Sequence, residues 1–122
     1  MRELRGKVTV GNEAVVEVEF QPSGQIIEFL LDTGFNGSLC VPRNILEKLN
    51  LKVEEETFFD GIGGHSEAID IAFAEINWFD IFSDVSVLVN DGEDFLLGTQ
   101  LLTNKELYIN YKTGEVLITE NE

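Results

Sequence analysis

Asp32, Thr33 and Gly34 stand in a row at the end of a nearly continuous apolar run, "IIEFLL" at residues 26–31. A lone acid after such a run is more often a turn-former or a helix cap than a catalyst. Its neighbours change the balance. Thr33 places a hydroxyl beside the carboxylate, Gly34 lets a backbone or a substrate approach closely, and the strand before them keeps water away. A carboxylate fixed in this way is suited to activating a water molecule.

Cys40 and His65 form a rival constellation, because a thiol and an imidazole can act as nucleophile and base. Cys40, however, lies in the apolar stretch "SLCVP", where a thiol packs as a small apolar group, and no third residue is identifiable to orient the pair. One cysteine and one histidine supply no metal coordination set, and the carboxylates show no ligand spacing. Neither a metal nor a cofactor is expected.

The elements that must position Asp32 are mainly strands. Apolar and charged residues alternate from Lys7 in "KVTVG", then from Ala14 to Phe20, where Val16, Val18 and Phe20 share a face opposite Glu17 and Glu19. "QPSGQ" has the composition of a hairpin turn, and the strand from Ile26 to Leu31 that follows it is expected to be central in its sheet. Further strands are predicted over Val53–Phe59, Ala68–Ile76, Ile81–Val89, Leu107–Tyr111 and Glu115–Thr119. Trp78 falls at a hairpin bend and reads as packing. One segment, "PRNILEKLNL" from Pro42, predicts a short helix with Ile45, Leu46 and Leu49 on its apolar face, and a helical turn is expected after Gly98. These signals favour an all-β, barrel-like fold class with one short helix and a C-terminal helical turn.

Composition narrows the function. With 122 residues and 43% hydrophobic content, residues 1–122 are expected to form a single domain. Eight Lys and Arg against 23 Asp and Glu give a net charge of -15, which repels nucleic acid and anionic lipid alike. Apolar runs are interrupted by Glu28, Asp32, Asp80 or Asp84, well short of the roughly 20 residues that span a bilayer. The opening "MRELRGKVTVG" lacks the apolar stretch of a signal peptide, and the single cysteine suits a reducing compartment, so a cytoplasmic protein is expected.

Two motifs in order, "LLDTG" at 30–34 and "FLLGTQLL" at 95–102, resemble those of the retroviral-type aspartic proteases, the retropepsin-like group, and of its small prokaryotic members in particular. The resemblance spans roughly Val8 to Ile118. It implies an acid-protease-like barrel, one lobe per chain, with Asp32, Thr33 and Gly34 in the catalytic loop. Leu96, Leu97 and Gly98 would support that loop from beneath. Phe35 stands where retroviral enzymes usually have alanine, and is expected to meet substrate; Thr99 stands where they usually have arginine, which leaves the dimer contacts open.

Hydrolysis of this class needs two aspartates sharing one proton around a water. This chain offers one such triplet. "NDGE" at 90–93 lacks the hydroxyl residue and "KTGE" at 112–115 lacks the acid. An active enzyme would therefore be a homodimer in which each copy contributes Asp32 across a two-fold axis.

Gly61, Gly63 and Gly64 lie between two strand-like arms in "FFDGIGGHSEAID". An ordinary glycine-rich turn would have the same composition. Its place between the two motifs is where the family has its flap, so the resemblance assigns Gly61, Ile62, Gly63 and Gly64 to covering substrate, with Ile62 at the tip. The implied activity is cleavage of peptides or proteins by an aspartic endopeptidase. The alternative is a catalytically silent module of the same fold that binds an extended peptide by strand addition.

Overall fold

Alternation sets the long strands. In β2 (Ala14–Gln21), Val16, Val18 and Phe20 are each 1% exposed, while Glu17 between them faces solvent. The same period continues through β6 (Ser66–Trp78) and β7 (Ile81–Asn90), where Ala72, Ile76 and Val87 are fully buried. The computed structural model describes residues 2–60, 63–64 and 66–121; Gly61, Ile62 and His65 lie outside the described residues. The remaining strands are β1 (Arg2–Val8), β3 (Gln25–Leu31), β4 (Leu39–Pro42), β5 (Glu55–Asp60), β8 (Leu96–Leu97), β9 (Lys105–Asn110) and β10 (Glu115–Glu120).

The strands hydrogen-bond in the order β5-β6-β7-β4-β8-β3-β2-β1-β10-β9. One further pairing, β2 with β6 over Glu19↔Asn77 to Gln21↔Glu75, closes β2, β3, β8, β4, β7 and β6 into a ring. The all-β expectation holds, and β3 is interior to the sheet as expected. Phe20 and Phe29 meet inside the ring with centroids 6.0 Å apart, and Phe95 meets Phe29 edge-on at 5.9 Å. Each fully buried side chain of this size contributes roughly 1.5–3 kcal/mol.

Three local expectations change. The first strand starts at Arg2 and stops at Val8, because Thr9 N–H bonds to Glu13 O and Asn12, at φ 64°, turns the chain. β4 falls where no strand was expected. The segment from Pro42 is not an α-helix: it makes a 3-10 turn at Arg43–Ile45 and then closes at once. Leu51 N–H returns to Leu46 O, Asn50 N–H returns to Glu47 O, and Asn50 takes the left-handed conformation at φ 57°. This is the Schellman ending, with asparagine in the place usually held by glycine. Leu46 and Leu49 are still buried, so the apolar face was read correctly and the regular helix was not. The turn after Gly98 is present, as a 3-10 turn at Thr99–Leu102.

Outside the ring, β1 pairs with β10 from Arg2↔Glu120 to Lys7↔Glu115, and β9 covers the other edge of β10. Phe79 and Asp80, at φ 55° and 62°, form the two-residue turn between β6 and β7, the geometry that matches strand twist. The Arg2 guanidinium donates to Phe79 O and pairs with Glu120 at 2.7 Å; Lys105 lies over the Phe79 ring at 5.1 Å. Trp78 is buried beside Phe79 at 5.2 Å, as packing. Among the described residues no helix is long and apolar enough to cross a membrane.

Candidate active site

β8 is two residues long, and it is decisive for the site. It lies between β3 and β4, parallel to β3 (Leu30↔Leu96, Leu31↔Leu97) and antiparallel to β4 (Leu39↔Leu97, Cys40↔Leu96). The chain leaving β3 must therefore cross the end of β8 before it can return as β4. That crossing segment, residues 32–38, carries Asp32.

The crossing is held from both ends. Asp32 N–H bonds to Leu97 O at 3.0 Å, Gly98 N–H to Ser38 O at 2.9 Å, Thr99 N–H to Phe35 O at 2.8 Å and Gln100 N–H to Gly37 O at 3.2 Å. The Ser38 hydroxyl, on a residue 5% exposed, adds a bond to Gln100 Oε1 at 3.1 Å. Such close backbone contact leaves no space at residue 98. A Cβ on Gly98 would sit 2.2 Å from Gly37 O and 2.5 Å from Phe35 O. From beneath, the Trp78 indole N–H donates to Leu101 O at 3.2 Å and anchors the 3-10 turn that follows Gly98.

Within this frame the Asp32 carboxylate is half-exposed, and Gly34 N–H donates to its Oδ1 at 2.9 Å. Phe35 N–H donates to Asp32 O at 3.1 Å, which completes the turn. No lysine or arginine pairs with Asp32 among the described residues. Thr33 is exposed, and its hydroxyl has no hydrogen bond within the chain among the described residues. The site thus presents a single oriented carboxylate on a loop fixed by backbone hydrogen bonds.

Asp32, Thr33, Gly34 and Phe35 share the crossing loop, Leu97 and Gly98 lie directly against it, and Leu96 pairs with Leu30 and Cys40 on the strands to either side. The glycine-rich segment is elsewhere, on the β5–β6 hairpin, whose ladder runs from Glu55↔Ile71 to Asp60↔Ser66. Gly63 and Gly64 take φ 88° and 78°, conformations that favour glycine. The tip expectation for Gly61 and Ile62 lies outside the described residues. Arg43, directly after β4, ties the root of the hairpin to the loop after β7, with Nη1 2.8 Å from Asp70 and Nε 2.8 Å from Asp91. Those two carboxylates raise the Arg43 pKa further above its ordinary value, Asp91 more than Asp70.

Sequence reasoning missed Gly37, Ser38, Gln100 and Arg43. The glycine in "FNGS", three residues after Gly34, was a visible signal for the first of these: a Cβ there would meet the Phe35 ring at 2.6 Å. Cys40 is half-buried, and Asn90 Nδ2 donates to its sulfur at 3.3 Å. Burial raises the thiol pKa and nearby Asp94 adds to it, with Asn90 opposing. That is the reverse of what a thiolate nucleophile requires. The His65 half of that pair lies outside the described residues, and no cluster of three metal-binding side chains occurs among the described ones.

A strand ending in Asp-Thr-Gly, crossing over an inserted strand that ends in glycine, inside an all-β ring, defines a retropepsin-like aspartic protease. Residues 16–101 of this chain match the aspartyl protease family, and the chain belongs to it. Solved structures with the same fold include a retropepsin-like aspartic protease from Rickettsia conorii, 14% identical over 97% of this chain and 89% of that one, with a TM-score of 0.70. EIAV protease complexed with an inhibitor is 18% identical over 78% of this chain and 89% of its own, TM-score 0.59. Simian foamy virus protease is 19% identical over 73% and 91%, TM-score 0.54. No curated protein sequence matches the chain.

Proposed function

We propose that two copies of this chain form an aspartic endopeptidase, with the two Asp32 carboxylates facing each other across a two-fold axis. The observation that carries the proposal is the Asp32 carboxylate itself, held by Gly34 N–H at the end of β3 and with no ion-pair partner among the described residues. One carboxylate per chain cannot both take a proton from water and give one to a carbonyl oxygen. Two can. One Asp32 accepts a proton as the water oxygen attacks the peptide carbonyl carbon, while the other, protonated, donates to the carbonyl oxygen. Collapse of the tetrahedral intermediate then expels the amine, which leaves with a proton from the carboxyl pair. No cofactor enters these steps.

The exposed Thr33 hydroxyl, without a partner among the described residues, would be available to the second copy. The terminal strands bear on how the copies meet. Both edges of β10 are occupied within one chain, by β1 and β9, so exchange of C-terminal strands is not needed to complete the sheet. The crossing loops are left as the natural meeting point. The β5–β6 hairpin would close over bound peptide and exclude water.

The test is cleavage of a mixed peptide library at high protein concentration across pH 4 to 7, with wild type and Asp32→Asn in parallel and products read by mass spectrometry. Removal of a group that transfers protons in the transition state costs on the order of 10²–10⁴-fold in rate. Cleavage that survives Asp32→Asn overturns the proposal. Absence of cleavage from protein that sediments as a dimer moves the reading to the peptide-binding module.

A further inference from the structure

A groove of about 350 Å³ opens beside the crossing loop. Leu30 and Leu96 lie on its floor and are register partners across β3 and β8. Leu31 and Leu97, one residue further on, point into the core at 9% and 0% exposure, so alternation turns Leu30 and Leu96 the other way, toward the groove. Asp32 follows Leu30 by two residues and its N–H bonds to Leu97 O, so the groove lies at the end of β3 and β8 from which the candidate catalytic loop departs, with Asp32 itself outside its lining. Val15 and Phe95 complete the apolar floor.

The rim is of one sign. Glu13 contributes from the β1–β2 turn, Glu28 from β3, and Glu93 and Asp94 from the loop between β7 and β8. Lys7 stands 3.9 Å from Glu28 and offsets it. Glu13, Glu93 and Asp94 are exposed and have no ion-pair partner among the described residues. A neutral apolar side chain in this groove would draw water from three carboxylates and return nothing to them. A long cationic side chain satisfies both surfaces, with its methylene stem on Leu30 and Leu96 and its head among the carboxylates.

We propose that this groove receives a lysine or arginine side chain of the substrate adjacent to the scissile bond, which makes the enzyme selective for basic residues at its cut site. This rests on the proposed endopeptidase activity and names its substrate class. The acidic surface would also raise the local concentration of cationic peptides and speed their encounter, an effect that salt weakens.

The test compares two peptides that differ at one residue beside the cut, lysine in one and norleucine in the other, which keeps the stem and removes the charge. Wild-type dimer should favour the lysine peptide in kcat/KM by about tenfold, the scale of a hydrogen bond to a charged group. In the triple variant Glu13→Gln, Glu93→Gln, Asp94→Asn the ratio should fall toward one. In a second variant, Glu93→Lys with Asp94→Lys, the preference should pass to a glutamate peptide. A ratio near one in wild type, or one that the triple variant leaves unchanged, overturns the inference while the protease stands. Failure of dimeric protein to cut any member of a random library removes the endopeptidase reading, and the inference with it.

Discussion

The crossing loop and the β5–β6 hairpin are both turns that join strands, and they are held in opposite ways. Residues 32–38 are tied to a different part of the chain, residues 97–100, by four backbone hydrogen bonds and the Ser38–Gln100 contact. Among the described residues the strand pairing of the hairpin beyond Asp70 is internal: Asp70↔Val89 is the last pair that β6 makes with β7, and from Ile69 to Ser66 its ladder partners are on β5. A carboxylate that must be placed to a fraction of an ångström belongs on the first kind of support. The cover proposed for bound peptide, which would have to open and close, suits the second.

Glycine substitutions separate the two regions most sharply. Gly98→Ala would drive a methyl group into two backbone oxygens that cannot rotate away, and should cost about 3 kcal/mol in urea unfolding, at the upper end for overpacking. Gly64→Ala meets nothing within 4 Å and carries only the cost of φ +78°, about 1 kcal/mol. Equal losses at the two positions would mean that the hairpin is as firmly supported as the loop.

Assembly is the next largest effect. Two chains at -15 each repel one another, so the dimer constant should tighten several-fold between low salt and a few tenths molar salt, and again as pH falls toward the pI of 4.2. A constant unchanged with salt in sedimentation runs would mean that the charges lie away from the contact.

Arg43, which directly follows β4, ties the hairpin root at Asp70 to Asp91 in the loop before β8. Exposed ion pairs contribute little to global stability, so Arg43→Ala should leave the melting temperature nearly unchanged. Amide exchange should rise at residues 66–70 and stay level at residues 30–32. Faster exchange in the crossing loop would show that the two regions are coupled rather than independent.

The smallest effect concerns Cys40 on β4. Because burial raises its pKa, it remains a neutral thiol over a wider pH range than a free cysteine, and its alkylation should accelerate only at higher pH. Alkylation at neutral pH as fast as that of a free thiol would mean that the crossing loop opens to expose β4.

Much of this was legible in the amino-acid order because it depends on neighbours along the chain. Alternation in Ala14–Gln21 and in the segments of β6 and β7 has period two whatever packs against it, so those strands could be located from local pattern. The glycine-rich hairpin and the Asp32–Thr33–Gly34 turn announced themselves by residue types that few other backbone geometries require. Pro42 and the apolar spacing after it misled, since that spacing records which side is buried and not how the turn ends; Asn50 in the left-handed region ended it early.

What the sequence by itself determined, then, is the set of long strands, the acidic charge and the place of the Asp32–Thr33–Gly34 triplet at the end of one of those strands. Only tertiary structure decided the course of β4 and β8, which are too short to show a period and take parallel partners remote in sequence: Leu39–Pro42 on Val87–Asn90, and Leu96–Leu97 on Leu30–Leu31. The same holds for the bonds from Ser38 to Gln100 and from Arg43 to Asp70 and Asp91, and for the gathering of Glu13, Glu93 and Asp94 around one groove. The physical reason is common to all of them. A strand's period and a turn's φ angles are properties of adjacent residues, whereas a contact between distant segments exists only after the sheet has closed and brought its ends together.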